Sequence, residues 1–202
     1  MKKILLFLLL SACAYSTPPR GEWGMVLRGA SGEQLSPTLR VAKKPLYQDA
    51  GGMVVPAGNV RGYMDALDAK LNDTLRKPGI QINRIGTDII VILVRSSFMY
   101  TDSPEISKMG DDLLGLLAGV LNEYDRTWIE ITGYSDAMRS QENAVAFSGD
   151  MAQRVAVYLA KSKVKPIRMF WVGRGSANPI ADQSDLGRLM NRRVEIRLSA
   201  VN

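Results

Sequence analysis

The stretch from Trp128 to Leu159 limits what this chain can fold into more than any other. Trp128-Ile-Glu-Ile-Thr132 is a short run of β-branched and aromatic residues, followed by the polar Gly133-Tyr-Ser-Asp136, and Ala144 to Leu159 then carries apolar residues at helical spacing. Strand, turn and helix in that order make half of a strand-helix-strand unit, which calls for an α/β sheet. A right-handed crossover brings Asp136 and the start of the helix to one sheet edge, where ligand sites of open α/β sheets gather.

The neighbouring sequence completes such a sheet. Thr87 to Val94 is apolar or β-branched except for Asp88, a strand buried on both faces. Phe98 to Pro104 is a polar turn, and Met109, Leu113, Leu116, Leu117, Val120, Leu121 and Tyr124 trace a helix face. Ile167 to Val172 reads as a third strand, Gly173 to Pro179 as a loop, Asp185 to Met190 as a short helix and Arg193 to Leu198 as a last strand. The expected fold is α/β, a βαβαβ(α)β mixed sheet with helices on one face, over residues 81–202.

Before it, residues 59–80 read as an amphipathic helix and linker. Tyr63, Leu67, Leu71 and Leu75 share a face, Asn59 stands as N-cap and Pro78-Gly79 as the stop. Residues 13–58, rich in Pro, Gly, Ser and Arg, read as a tether. Trp23, Met25, Val26 and Leu27 form an apolar island in it, either a solvated linker or a segment that orders on a partner.

The first residues look like an export signal: Lys2 and Lys3 precede the apolar run Ile4 to Leu10, too short to span a bilayer. Leu10-Ser11-Ala12-Cys13 resembles a bacterial lipobox, so 1–12 is expected to be removed and Cys13 acylated; the plainer alternative is an ordinary signal with a chance cysteine. An acylated Cys13 anchors a chain to a membrane without a spanning segment, and Ala14 after it implies, by resemblance to such lipoproteins, the outer membrane.

Composition narrows the chemistry. The net charge is +6, two of it from Lys2 and Lys3 in the leader, and both signs are mixed along the chain. That excludes a basic nucleic-acid-binding face. With no histidine and a single cysteine, imidazole catalysis, thiolate zinc sites and disulfides are out, and neither an enzyme nor a cofactor is expected.

The residues from about Asp88 onward resemble the OmpA C-terminal-like domain, which holds outer membranes non-covalently to peptidoglycan. Gly133-Tyr134-Ser135-Asp136 stands where that family has Gly-His-Thr-Asp. Phe147-Ser148, Ala152, Val155 and Tyr158-Leu159 match at the family's distances, as do Val172-Gly173-x-Gly175-x-x-x-Pro179-Ile180-Ala181 and Gly187-Arg188-x-x-Asn191-Arg192-Arg193-Val194-Glu195-Ile196. The resemblance implies a diaminopimelate ligand whose ammonium meets Asp136, with Ser135 beside it. Taken by itself, Asp136 is equally a turn-shaping residue.

The family's carboxylate-binding arginine, fifteen positions past the aspartate, is Met151 here, and its asparagine is Ala144. Asn143, Arg154 and Arg139 are the possible substitutes, although Arg154 is turned about 60° round the helix from Met151. With Ser148 read as N-cap and Phe147 as a staple, Met151 takes the third helical position, where free amides favour an anion but Asp150 opposes one. Losing the guanidinium costs about 1.5–3 kcal/mol, one to two decades of affinity. Phe147, Met151 and Tyr158 make a flank that is either a broad core stripe or a docking surface. The expected role is a structural lipoprotein subunit of an envelope-spanning complex, resembling those of type IVB secretion, with peptidoglycan association weakened or lost. The alternative is a working peptidoglycan anchor.

Overall fold

The structure, a computed structural model, describes residues 27–28, 37–101, 103, 105–137 and 140–202. Its elements are β1 (Leu27–Arg28), α1 (Pro37–Asp49), α2 (Val60–Thr74), β2 (Ile80–Ile85), β3 (Asp88–Val94), α3 (Lys108–Glu123), β4 (Thr127–Tyr134), α4 (Gln141–Lys161), β5 (Met169–Gly173), α5 (Asp185–Asn191) and β6 (Arg193–Ala200). The strands form one mixed sheet in the order β1-β5-β4-β6-β3-β2. β4 and β5 run parallel through the α4 crossover, while β6 runs antiparallel to both β4 and β3.

Period-2 alternation fixes which strand residues enter the main core. Ile129 and Ile131 of β4, Val194, Ile196 and Leu198 of β6, and Ile89, Val91 and Leu93 of β3 pack with the buried faces of α2, α3 and α4. The amphipathic helix expected over 59–76 is α2. It lies on this domain through Met64, Leu67 and Leu71, and the Tyr63 hydroxyl accepts a 3.0 Å hydrogen bond from the Arg126 amide. Asn59 stands at its N-cap without a side-chain cap bond.

The expected α/β sheet is present, with two strands and one helix beyond those read from sequence. β2 pairs antiparallel with β3 across a two-residue loop in which Gly86 has φ 60°, the glycine-first geometry that a tight hairpin favours. β1 adds a short parallel edge beside β5. The stretch read as tether is helical over Pro37–Asp49, and this helix lies against the other face of the sheet. Tyr47 carries it there. The ring is fully buried 5.6 Å from Trp128, which stacks edge-on to Phe170, and its hydroxyl donates to the Met53 and Asp125 carbonyls at 3.0 Å each. Gly52 leaves room for that ring, since a Cβ there would come within 2.2 Å of it. Cys13 and the residues Trp23, Met25 and Val26 of the apolar island lie outside the described residues.

α4 begins earlier than the sequence reading placed it. Its N-cap is Ser140, whose Oγ accepts from the Asn143 amide at 3.2 Å. Ser148 is therefore not a cap but an interior helical residue; its hydroxyl donates to the Val145 carbonyl and accepts from the Gly175 amide, tying the helix to the loop after β5. The helix can lie so close to the sheet because Gly133 and Gly173 have no side chain. A Cβ on Gly133 would sit 1.9 Å from the Ser148 carbonyl oxygen, and one on Gly173 2.4 Å from the Gly149 nitrogen.

Candidate functional site

The candidate site is built by two strand ends. In the antiparallel register of β4 and β6, Tyr134 lies opposite Arg193, so the residues just after β4 face those just before β6. Asp136 and Arg192 meet there. Arg192 Nε donates to one carboxylate oxygen at 2.7 Å and Nη2 to the other at 2.9 Å, a bidentate fork. The Asp136 side chain is 4% exposed and that of Arg192 37%. The bonds from Asp136 raise the Arg192 guanidinium above its ordinary pKa, against the opposing effect of burial. Asp136 thus carries an intramolecular ion pair and is not simply a turn residue, and sequence reading missed Arg192 although it stands in the quoted Asn191-Arg192-Arg193 run.

Neighbouring groups hold the fork in place. Ser135 is buried, its hydroxyl donating to the Asp136 carbonyl at 3.0 Å and its amide to the Gly175 carbonyl. The Arg95 amide donates to the Arg192 carbonyl at 2.8 Å, and the Arg95 guanidinium binds the Thr101 and Ser103 carbonyls while lying over the Phe147 ring. Arg193 is buried over the Tyr134 ring and bonds Glu195 and the Asn178 carbonyl. Buried Asn191 clamps the Ile180–Asp182 backbone with both ends of its amide. Burial, followed by the Glu195 charge, raises the Tyr134 phenol above its ordinary pKa.

Of the expected site residues, the structure brings only Ser135 and Asp136 together. Asn143 is exposed at the start of α4. Arg154 turns along the helix to Asp150, Nε to Oδ2 at 3.1 Å, on a solvated face. Arg139 lies outside the described residues. Met151 corrects the sequence reading most: it lies deep inside α4, 2% exposed, among core residues, and the free amides of the first helical turn are far from it. Phe147 and Tyr158 also pack on that core, so this flank is a core stripe and not a docking surface. Among the described residues no group of three or more histidine, cysteine, aspartate or glutamate side chains is placed to hold a metal, and no helix is long and apolar enough to cross a membrane.

Residues 99–192 match the family model described as OmpA family. Over 143 residues the chain is 36% identical to the "Probable lipoprotein YiaD" of Escherichia coli (strain K12), covering 70% of this chain and 65% of that one. The chain thus spans just under two thirds of this relative, and 26% of the outer membrane porin F of Pseudomonas fluorescens, to which it is 35% identical over 85 residues, or 42% of this chain. Among solved structures, the cell wall anchor of the T6SS from Pseudomonas aeruginosa superposes with a TM-score of 0.59 at 24% identity, over 66% of this chain and 96% of that one. At that identity the likeness speaks for the fold alone. These relatives are named as a lipoprotein, an outer-membrane porin and a cell wall anchor. Sequence match, fold and the strand-end aspartate agree that residues 99–192 are similar to the OmpA family and share its kind of fold.

Proposed function

We propose that this chain is an outer-membrane lipoprotein, held by an acylated Cys13 and facing the periplasm, that serves as a structural subunit of an envelope-spanning complex. Its layout resembles DotK, the OmpA-like lipoprotein of the Dot/Icm type IVB secretion system. In this reading its association with peptidoglycan is weakened. The observation that carries it is the state of the site: the one carboxylate that would take a ligand ammonium already holds Arg192, and the position of the family's arginine is an apolar core residue. A ligand there must compete with an intramolecular fork and finds no guanidinium on α4.

The second reading, a working diaminopimelate anchor, is favoured by the intact strand-end frame around Asp136. Two measurements separate the readings. Sedimentation with purified diaminopimelate-type sacculi is expected to leave most of the protein in the supernatant; near-complete retention that Asp136→Ala abolishes establishes the anchor instead. Detergent extraction after muramidase treatment is expected to leave the protein co-migrating with other outer-membrane components. A uniformly monomeric protein there refutes the subunit reading.

A further inference from the structure

We infer that the outer edge of β2 is a docking surface for a second copy of this chain, joined by antiparallel pairing of the two β2 strands about a two-fold axis. β2 ends the sheet order, with β3 on one side only. The Val94 amide donates to the Gly79 carbonyl, so in this register Gln81, Asn83 and Ile85 exchange hydrogen bonds with β3, and the main-chain groups of Ile80, Ile82 and Arg84 point outward. The Ile80 amide donates to the Lys77 carbonyl at 3.4 Å; the amides and carbonyls of Ile82 and Arg84 have no hydrogen-bond partner on that side among the described residues. Such edges are ordinarily blunted by proline, lysine, a bulge or a covering element. β2 has none of these: its pairing with β3 is unbroken, its one charged residue, Arg84, is turned back to Asp65 and Asp68 of α2, and α2 lies over β3 and β6, inboard of the edge.

Symmetry and charge identify the occupant. Leu27-Arg28 already pair at the opposite edge, beside β5, so the chain's own first strand is not it. Pairing centred on Ile82 is the register that uses every outward group: Ile82 meets the partner's Ile82, Ile80 the partner's Arg84, and the exposed amide of Gln81 that of the partner's Asn83. The same register sets unlike charges together. β2 runs back along α2, so Asp65 and Asp68 outnumber Arg84 at one end of this edge, while Arg76 and Lys77 outnumber Asp73 at the other. The two-fold lays each end on the partner's opposite end. A groove of about 350 Å³ between the end of α2 and the start of β2, walled by Leu75, Ile80 and Ile82, receives the partner's Ile82. β2 carries none of the strand-end site residues, so this pairing stands apart from peptidoglycan binding.

The test follows the full chain by sedimentation velocity and by hydrogen exchange at rising concentration. A reversible monomer-dimer equilibrium is expected. The Ile82 and Arg84 amides should gain protection as the dimer fills, while those of Gln81 and Asn83, already paired with β3, should not change. Ile82→Pro removes the outward N–H at the two-fold and leaves the β3 ladder whole, since an edge strand accepts proline where its N–H faces solvent. It should raise the dimer Kd about 10-fold or more, whereas Ile82→Val, which keeps the N–H, should shift it by less than about 3-fold. Circular dichroism and urea unfolding confirm that each variant is folded, and the exchange pattern of wild type decides the matter if Ile82→Pro is not. A chain that is monomeric at every concentration, a dimer as strong in Ile82→Pro as in wild type, or a dimer that leaves the Arg84 amide unprotected overturns the inference. Protection of these amides only after other envelope proteins are added also overturns it, and gives the edge to a different partner.

Discussion

A double-mutant cycle on Asp136 and Arg192 tests whether the fork governs this site in solution. At about 4 Å between charge centres, two unit charges interact by about 4 kcal/mol at the effective dielectric near a protein surface. That gross figure is reduced by desolvation of the carboxylate, which is 4% exposed, and by solvent screening of the guanidinium, which is 37% exposed. Exposed pairs contribute about 0–1 kcal/mol, and breaking a buried pair costs about 3–5 kcal/mol. This pair, buried on one side only, should fall between. Asp136→Asn leaves a guanidinium facing an amide NH2, and Arg192→Gln leaves a buried carboxylate without its cation; each is expected to cost about 2 kcal/mol. Since each single variant already loses the pair, the double variant should cost far less than the sum, giving a coupling of about 1–2.5 kcal/mol. Urea unfolding of the four proteins at pH 7, followed by circular dichroism, measures it. Because Asp136 is buried, raising the salt to 0.5 M should remove less than half of the coupling. A coupling below about 0.5 kcal/mol refutes the fork as the resting state and returns Asp136 to the pool of free carboxylates.

Arg168 is fully buried, and its guanidinium donates to the Leu121, Tyr124 and Thr127 carbonyls and to Thr127 Oγ1; Arg168→Met, which leaves the carbonyls from the end of α3 to the start of β4 without this donor, should cost about 3 kcal/mol, and a loss under 1 kcal/mol in urea titration contradicts the network. Tyr47→Ala should cost about 3–4 kcal/mol and Tyr47→Phe only about 1 kcal/mol, if the helix it carries is docked on the sheet as described; equal, small losses would mean that α1 is not held there. Lys43 is buried over the Phe170 ring without a hydrogen-bond partner, and desolvation lowers its pKa to about 8 from 10.5. Between those values the unfolded chain binds more protons, so stability rises with pH; Lys43→Met should be the more stable protein at pH 7, by a margin that shrinks as pH climbs from 8 to 10.5. A margin independent of pH contradicts the assignment. Met151→Arg should lower stability by about 2–4 kcal/mol by placing a guanidinium in the core, and an unchanged melting temperature would show that the side chain reaches water.

The sheet was legible where period and composition agreed. Thr87–Val94, Trp128–Thr132 and Ile167–Val172 lie within a residue or two of β3, β4 and β5, because strands buried on both faces are spelled by mostly apolar runs, each interrupted here by one charged residue, Asp88, Glu130 and Arg168. β2 was not seen, since Ile80-Gln-Ile-Asn-Arg-Ile is short and half polar and its pairing depends on a hairpin turn. Helix α1 was hidden by Pro45, which lowers local helix propensity; what holds it is Tyr47, whose aromatic partner Trp128 stands far along the chain on β4. The acidic half of the site was legible from a motif. Its partner was not, because an antiparallel register between β4 and β6, invisible to any local pattern, is what brings Arg192 across to Asp136. The start of α4 was misplaced because two serines, Ser140 and Ser148, each satisfy the cap rule, and only the first lies where the chain turns.

That misplacement changes what Met151 means. At the third helical position an arginine-to-methionine change is a plain loss of a binding contact. Deep inside α4 it is also a gain, because a methionine side chain buried from water contributes about 1.5–3 kcal/mol that an arginine reaching for solvent does not. A chain that no longer needs the ligand carboxylate can exchange that contact for packing. Asp136 cannot be exchanged in the same way, since its removal leaves the Arg192 fork unmatched at the very junction where β4, β6 and the loop after β5 are tied together. The aspartate therefore has a structural reason to stay whether or not a ligand is bound there. Its presence in a sequence is evidence for the strand-end frame, and retention on sacculi, not the aspartate itself, speaks for binding.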